Sequence, residues 1–369
     1  MSTKIVALIL AGGKGTRLES LTRKAAKPAV SFAAKYRIID FPLSNCANSG
    51  INNVGILTQY EAITLNNYIG NGEKWGLNGV RSLTSILAPH QTENGASWYR
   101  GTADAIYQNI DFLDSLSPEY VLILSGDHIY RTTYDDMLDY HIKKKSDCTV
   151  MVIDVDISEA SRFGIIHIDR AHKITMFEEK PKKPTSTLAS MGIYIFTYKT
   201  LRSALISDAS NDKSQHDFGN NILPEYLQKE KGLYAYPFKG YWRDVGTISS
   251  LHQANMDILN EDVWDELFES EDKIYTEDSA SVPQYVGKRS DVKNSVINQG
   301  ANILGHINRC VISNEVLVDY DTVLENCVIM RGARIGKNVK IKNAIIGPDS
   351  IVDDNKEINQ TGDSIVLLK

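Results

Sequence analysis

The chain has 369 residues, 42% of them hydrophobic and 23% charged, with a formal net charge of −6. That length exceeds one typical domain, so two domains are expected, each able to bury a core without disulfide or metal staples. The negative balance, with no long basic run, excludes wholesale binding of nucleic acid or an anionic membrane, while a small anionic substrate held by local cations stays open.

In chain order, the first element is the apolar run Ile5 to Ala11, a strand that feeds straight into Gly12-Gly13-Lys14-Gly15-Thr16-Arg17-Leu18. Glycines let backbone N–H groups close on an anion, and Lys14 and Arg17 supply charge, so this loop predicts a phosphate cradle. It is not a Walker loop, which needs Gly-Lys-Ser/Thr after four spacers, nor the dinucleotide fingerprint, which needs a small residue where Leu18 stands. Taken alone, the motif also fits an ordinary glycine turn after a strand. The apolar run is too short to span a membrane and leads to no small-residue cleavage site, so a cytoplasmic protein is expected. Lys14, Arg17, Lys24, Lys27 and Arg37 set the local field, because charges beyond ~8 Å are largely screened.

Farther along, residues 53 to 59, 119 to 125 and 148 to 155 read as strands. Gly101 to Leu116, with Ala103, Ile106, Ile110 and Leu113 at helical spacing, reads as a helix, as does Thr247 to Leu259. Their alternation predicts a layered α/β domain. The strand ending in Ser125-Gly126-Asp127-His128 delivers a carboxylate to the crevice where open sheets bind ligands. Matched by Asp244 in Tyr241-Trp242-Arg243-Asp244-Val245-Gly246, it forms the hard-oxygen pair that Mg²⁺ takes together with waters and phosphate oxygens. A turn aspartate at 127 and a helix N-cap at 244 are the purely structural alternatives. Strand alternation predicts that His128 points away from the metal.

From Glu261 the texture turns acidic, which places a linker at 263–282 between a domain at 1–262 and a second at 283–369. In the second, Val311, Leu317, Val323, Ile329, Ile335 and Ile341 recur every six residues, the mark of a triangular parallel β-helix whose apolar residues stack inward. Hexad acyltransferases need a catalytic histidine near the coils; only His306 is at hand, so the solenoid reads as a support and oligomerisation module. The four cysteines are scattered without a CxxC pair, which suggests neither zinc nor disulfides.

These residues together resemble the sugar-1-phosphate nucleotidyltransferases, and among them the bacterial glucose-1-phosphate adenylyltransferases. The marks are the glycine loop Leu10 to Leu18, Ala26-Lys27-Pro28, Tyr36-Arg37-Ile38-Ile39-Asp40-Phe41, Trp98-Tyr99-Arg100-Gly101-Thr102-Ala103, Ser125-Gly126-Asp127-His128, Glu178-Glu179-Lys180-Pro181, Ala189-Ser190-Met191-Gly192, His216-Asp217-Phe218-Gly219 and Tyr241-Trp242-Arg243-Asp244-Val245-Gly246. The resemblance implies a Rossmann-like nucleotidyltransferase domain with a mixed, mostly parallel sheet, followed by a left-handed parallel β-helix. It implies the conversion of ATP and α-D-glucose 1-phosphate to ADP-glucose and pyrophosphate for glycogen synthesis, with Mg²⁺ as cofactor.

By the same resemblance Arg17, Lys27, Asp127 and Asp244 are catalytic, the two aspartates holding the metal. Leu10, Ala11, Gly12, Gly13, Lys14, Gly15, Thr16, Gln59, Gly101 and Thr102 would bind the nucleotide, and Tyr99, Gly164, Glu179, Lys180 and Ser190 the glucose 1-phosphate. Read without it, Glu179-Lys180 is an exposed charged pair, Tyr99 a half-buried aromatic and Gln59 a loop amide. The implied assembly is a homotetramer or a heteromer with a non-catalytic sister subunit; a regulatory subunit and a uridylyl or thymidylyl transferase are the alternatives. Enteric relatives carry a longer segment before the first strand, whereas only Met1, Ser2 and Thr3 precede Lys4 here, which leaves effector control open although Lys24 falls at an activator-binding position.

Overall fold

A computed structural model of the protein describes residues 4–23, 25–89, 91–92, 95–96 and 98–369; Lys24 lies outside the described residues. The apolar run Ile5–Leu10 is the centre of a nine-stranded sheet, paired in parallel with Asn53–Leu57 on one side and Tyr120–Ser125 on the other. Leu83–Leu87 extends the parallel part. Beyond Tyr120–Ser125 the sheet turns antiparallel through the long strand Leu188–Thr197, which also pairs with Cys148–Asp154 across a bulge at Val150/Val152. Two apolar clusters fill the two faces, so the central strands are buried on both sides, as continuous runs such as Val121-Leu122-Ile123-Leu124 require. The expected α/β architecture is therefore present, and the parallel strand ends converge where the glycine loop and Asp127 leave the sheet.

The single helix expected over 101–116 is instead two, Thr102–Tyr107 and Ile110–Leu116. Asn109 interrupts them: its side chain donates to the Ala105 carbonyl at 2.8 Å and to the Tyr99 hydroxyl at 2.9 Å, an amide that competes with the backbone ladder. The acidic stretch after Asn260 begins as a helix, Glu261–Phe268, capped by the Asn260 side chain. Glu261 and Asp262 in its first turn suit the positive end of the helix dipole, while Leu267 is buried and Trp264 and Phe268 pack on the domain.

The following segment is strapped to the helix Asp40–Asn48. Ser44 accepts from the Tyr275 amide at 2.8 Å, Asn48 donates to the Lys273 carbonyl, and Arg37 meets Glu277 at 3.1 Å. Asp40 sits under this strap, fully buried; burial pushes its carboxyl up to about 6, although bonds from the Arg37 amide and the Tyr68 hydroxyl pull the other way.

From Tyr285 the chain winds as a parallel β-helix. Its later coils take 17 residues, so Leu324 stacks under Ile341 and Ile329 under Ile346. A strict six-residue frame therefore slips: Leu317 and Val323 face outward, Val323 being 41% exposed, while Val318 and Leu324 are the buried residues. Coil corners fall at Asn326 and Asn343, both with positive φ, a conformation asparagine tolerates. Val311, Val328 and Ile345 on one outer face join Leu18, Phe32, Ile38 and Leu251 in a shared core, and the His252 ring meets the Asn326 carbonyl at 2.7 Å. The solenoid thus buttresses the loop that carries Arg17. Among the described residues, no helix is long and apolar enough to cross a membrane.

Candidate active site

Two cavities open at the strand ends and share Ser125 and Asp127. The larger, about 390 Å³, is lined by Leu10, Ala11, Gly12, Gly13, Lys27, Gln59, Gly101 and Thr102, which brings most of the expected nucleotide residues together. A Cβ on Gly12 would press on the Gln59 side chain at 3.2 Å, so a larger residue there would have to push Gln59 back from the loop. Lys14, Gly15 and Thr16 lie outside its lining: Lys14 is exposed with its ammonium 5.0 Å over the Tyr60 ring, and Gly15 uses positive φ to turn the chain into the short helix that begins at Thr16.

The smaller cavity, about 230 Å³, is lined by Arg17, Gly164, Glu179, Lys180, Ser190 and Asp244 along with Asp127. Glycines at 164 and 219 leave room for the Glu179 carboxylate, which a Cβ at either position would meet at 3.1 and 2.5 Å. Lys180 is held 2.7 Å from Glu179 and stays exposed. Tyr99 is placed apart from this set, on the larger cavity, where its amide donates to Gln59 at 2.8 Å and its hydroxyl to the Leu87 carbonyl at 3.2 Å.

A two-stranded sheet brings the distant carboxylates together. His128–Tyr130 pairs antiparallel with Trp242–Asp244, with Asp244 directly opposite His128. Gly246 then lets Arg17 close in, since a Cβ there would lie 3.0 Å from its guanidinium. Lys27, almost fully buried, bridges the pair, 2.6 Å from Asp127 and 3.1 Å from Asp244. Burial alone would push the Asp127 carboxyl up, but the Lys27 and His128 charges and bonds from Lys27 and Ser125 hold it well below the usual carboxylate range. Burial likewise works against the Lys27 charge, and the two aspartates outweigh it and raise its pKa.

His128 departs from expectation. Residues 126–127 form a turn, so alternation from the preceding strand does not carry through; the ring lies 3.5 Å from Asp127 and belongs with Asp127 and Asp244 to a group whose potential ligand atoms are all within 4.8 Å. Sequence reasoning also missed Arg162, which lines the smaller cavity and approaches Asp244 at 3.7 Å, and Asp217, which lines the larger one and accepts from Thr102 at 2.7 Å. His216 is a buried partner of Asp208 at 2.8 Å and turns its carbonyl onto the Ala103 amide. A Cβ on Gly101 would lie 2.3 Å from that carbonyl oxygen. Gly101→Ala is accordingly expected to destabilise the fold by ~1–3 kcal/mol and to weaken nucleotide binding, as denaturant unfolding and nucleotide titration would show.

A glycine loop at parallel strand ends, with two carboxylates converging beside it, is the apparatus of nucleotidyl transfer, and the chain belongs to the nucleotidyl transferase family, whose model matches residues 6–261. A second family, described as GlmU-like C-terminal hexapeptide, matches residues 279–363. Within the first family the chain is similar to the glucose-1-phosphate adenylyltransferases of Bacillus cereus, Bacillus anthracis and Bacillus mycoides. Each is 49% identical over 367 residues, covering 99% of this chain and 98% of the relative. Members of the family generally use a divalent metal, and the donor set fits one: two carboxylates converge on a single buried cation, Lys27, at the junction of the cavities.

Proposed function

We propose that this protein is a glucose-1-phosphate adenylyltransferase, joining ATP and α-D-glucose 1-phosphate to give ADP-glucose and pyrophosphate, the glucosyl donor for glycogen synthesis. The observation that carries the reading is the meeting of Asp127, Asp244 and Lys27 where a nucleotide-sized cavity adjoins one lined by Glu179, Lys180 and Ser190. A phosphate oxygen of the sugar attacks the α-phosphorus, the bond to the β-phosphate oxygen breaks, and pyrophosphate leaves with its electron pair. The attacking oxygen is already anionic near neutral pH, so no base is required; the protein must bring two anions into line.

In this reading the Gly12 and Gly13 amides and Arg17 neutralise the leaving pyrophosphate, Lys27 contacts nucleotide phosphate, and Gln59 approaches the base. Lys180 receives the sugar phosphate and Glu179 accepts from sugar hydroxyls. Asp127 and Asp244 would hold Mg²⁺, which when bound offsets charge on the reacting phosphates. A homotetramer is the assembly expected, to be measured by sedimentation.

Pyrophosphate release from ATP and glucose 1-phosphate, with UTP and dTTP as competitors, tests the reaction. Absence of release, even with a partner subunit added, would make the chain a non-catalytic subunit, and preference for UTP or dTTP would change its base. Lys180→Ala is expected to raise the KM for glucose 1-phosphate by ~10-fold or more with a smaller change for ATP, the scale of one lost charge-assisted contact. Equal losses for both substrates would remove Lys180 from the sugar site.

A further inference from the structure

The oxygens of the carboxylate pair are unequally engaged. Asp127 Oδ2 and Asp244 Oδ1 both face the Lys27 ammonium, at 2.6 and 3.1 Å, and the Lys27 side chain is 7% exposed. The other oxygens have partners of their own: Asp127 Oδ1 accepts from the Ser125 hydroxyl and lies 3.5 Å from the His128 ring, and Asp244 Oδ2 faces the Arg162 guanidinium at 3.7 Å. Rotating either carboxylate to offer a fresh oxygen would cost it one of these partners. A divalent cation entering between the aspartates therefore meets oxygens already taken by a fixed positive charge, and buried like charges at such range repel strongly.

We propose that Lys27 is the resident counter-ion of Asp127 and Asp244, and that the protein free of nucleotide excludes divalent cations from this pair until Lys27 withdraws. The inference rests on the reading of the two aspartates as the metal site and adds an order of events to it. Lys27 also lines the cavity of the glycine loop, so the polyphosphate of an incoming nucleoside triphosphate gives its ammonium another anionic partner. Metal loading and nucleotide entry are thereby coupled through one side chain, which spares the free protein an uncompensated pair of half-buried carboxylates.

The test is calorimetric titration of Mn²⁺ into nucleotide-free protein. Lys27→Met is expected to bind Mn²⁺ ~10-fold or more tightly than the wild type, since removing the competing charge frees both inner oxygens; equal or weaker binding would overturn the proposal. Should that variant fail to fold, Lys27→Arg keeps the charge and is expected to bind Mn²⁺ no more tightly than the wild type, and tighter binding would overturn it. Asp127→Asn and Asp244→Asn, each added to Lys27→Met, separate the two readings. If Mn²⁺ binding survives both, the metal site itself is misplaced; if it is lost while Lys27→Met alone binds like the wild type, only the counter-ion role fails.

Discussion

Asp127→Asn is expected to lower turnover by ~10²- to 10³-fold at saturating divalent metal, the range seen when one preorganised charge is removed from a transition-state site. The substitution keeps the volume and one carbonyl oxygen, and Lys27 keeps Asp244 at 3.1 Å, so the fold has little reason to change. What disappears is the negative charge that Lys27, His128 and Ser125 are arranged to hold ionised. The loss should fall on kcat rather than on the KM of either substrate, because neither cavity loses lining volume. Steady-state kinetics on a variant with an unchanged thermal midpoint reads this directly. Turnover within a few-fold of the wild type would take Asp127 out of the chemistry.

Much of the arrangement at the candidate site was legible because its segments are local in sequence. The glycine loop announces itself within a few residues, and an apolar strand ending in an aspartate puts that carboxylate at the crevice. Contacts created by pairing between distant segments were not legible. Nothing near Asp127 reveals that His128 turns back toward it, because that depends on the turn at residues 126–127 and on pairing with Trp242–Asp244. Arg162 carries no motif of its own, and Asp217, although it stands in one of the family marks, shows its place at the site only through Thr102, as Arg162 does through Asp244.

The solenoid shows the same limit in another form. Hydrophobic recurrence identifies the β-helix, but the corner residues that shorten a coil to 17 decide which apolar residue faces inward, and a fixed frame misassigns Val323. The helix over 101–116 fails likewise at Asn109, where one side-chain amide outcompetes the backbone. In each case a good periodic signal was overridden by a single polar or corner residue.

Acid stability is the second large effect, and it comes from a residue remote from the chemistry. His141 is fully buried on the helix Asp135–Lys144, its ring nitrogens 2.8 Å from Thr149 and 3.1 Å from Thr197. Burial lowers its pKa to about 4 from an ordinary 6.5, with Asp147 opposing only in part. Above 6.5 the ring is neutral in both folded and unfolded chains and contributes no pH dependence. Between 6.5 and 4 only the unfolded chain takes up the proton, so this one residue removes ~3 kcal/mol of stability as the pH falls through that window.

His141→Gln, neutral throughout, is expected to lack that slope. Its stability deficit against the wild type, measured by urea unfolding, should shrink by ~3 kcal/mol between pH 7 and pH 4. His252, lowered in the same direction by burial, and Asp40, raised to about 6 and so opposite in sign, are present in both proteins and cancel in the difference. A deficit that stays constant with pH would mean that His141 is charged in the folded protein and that the two threonine hydroxyls both accept from it.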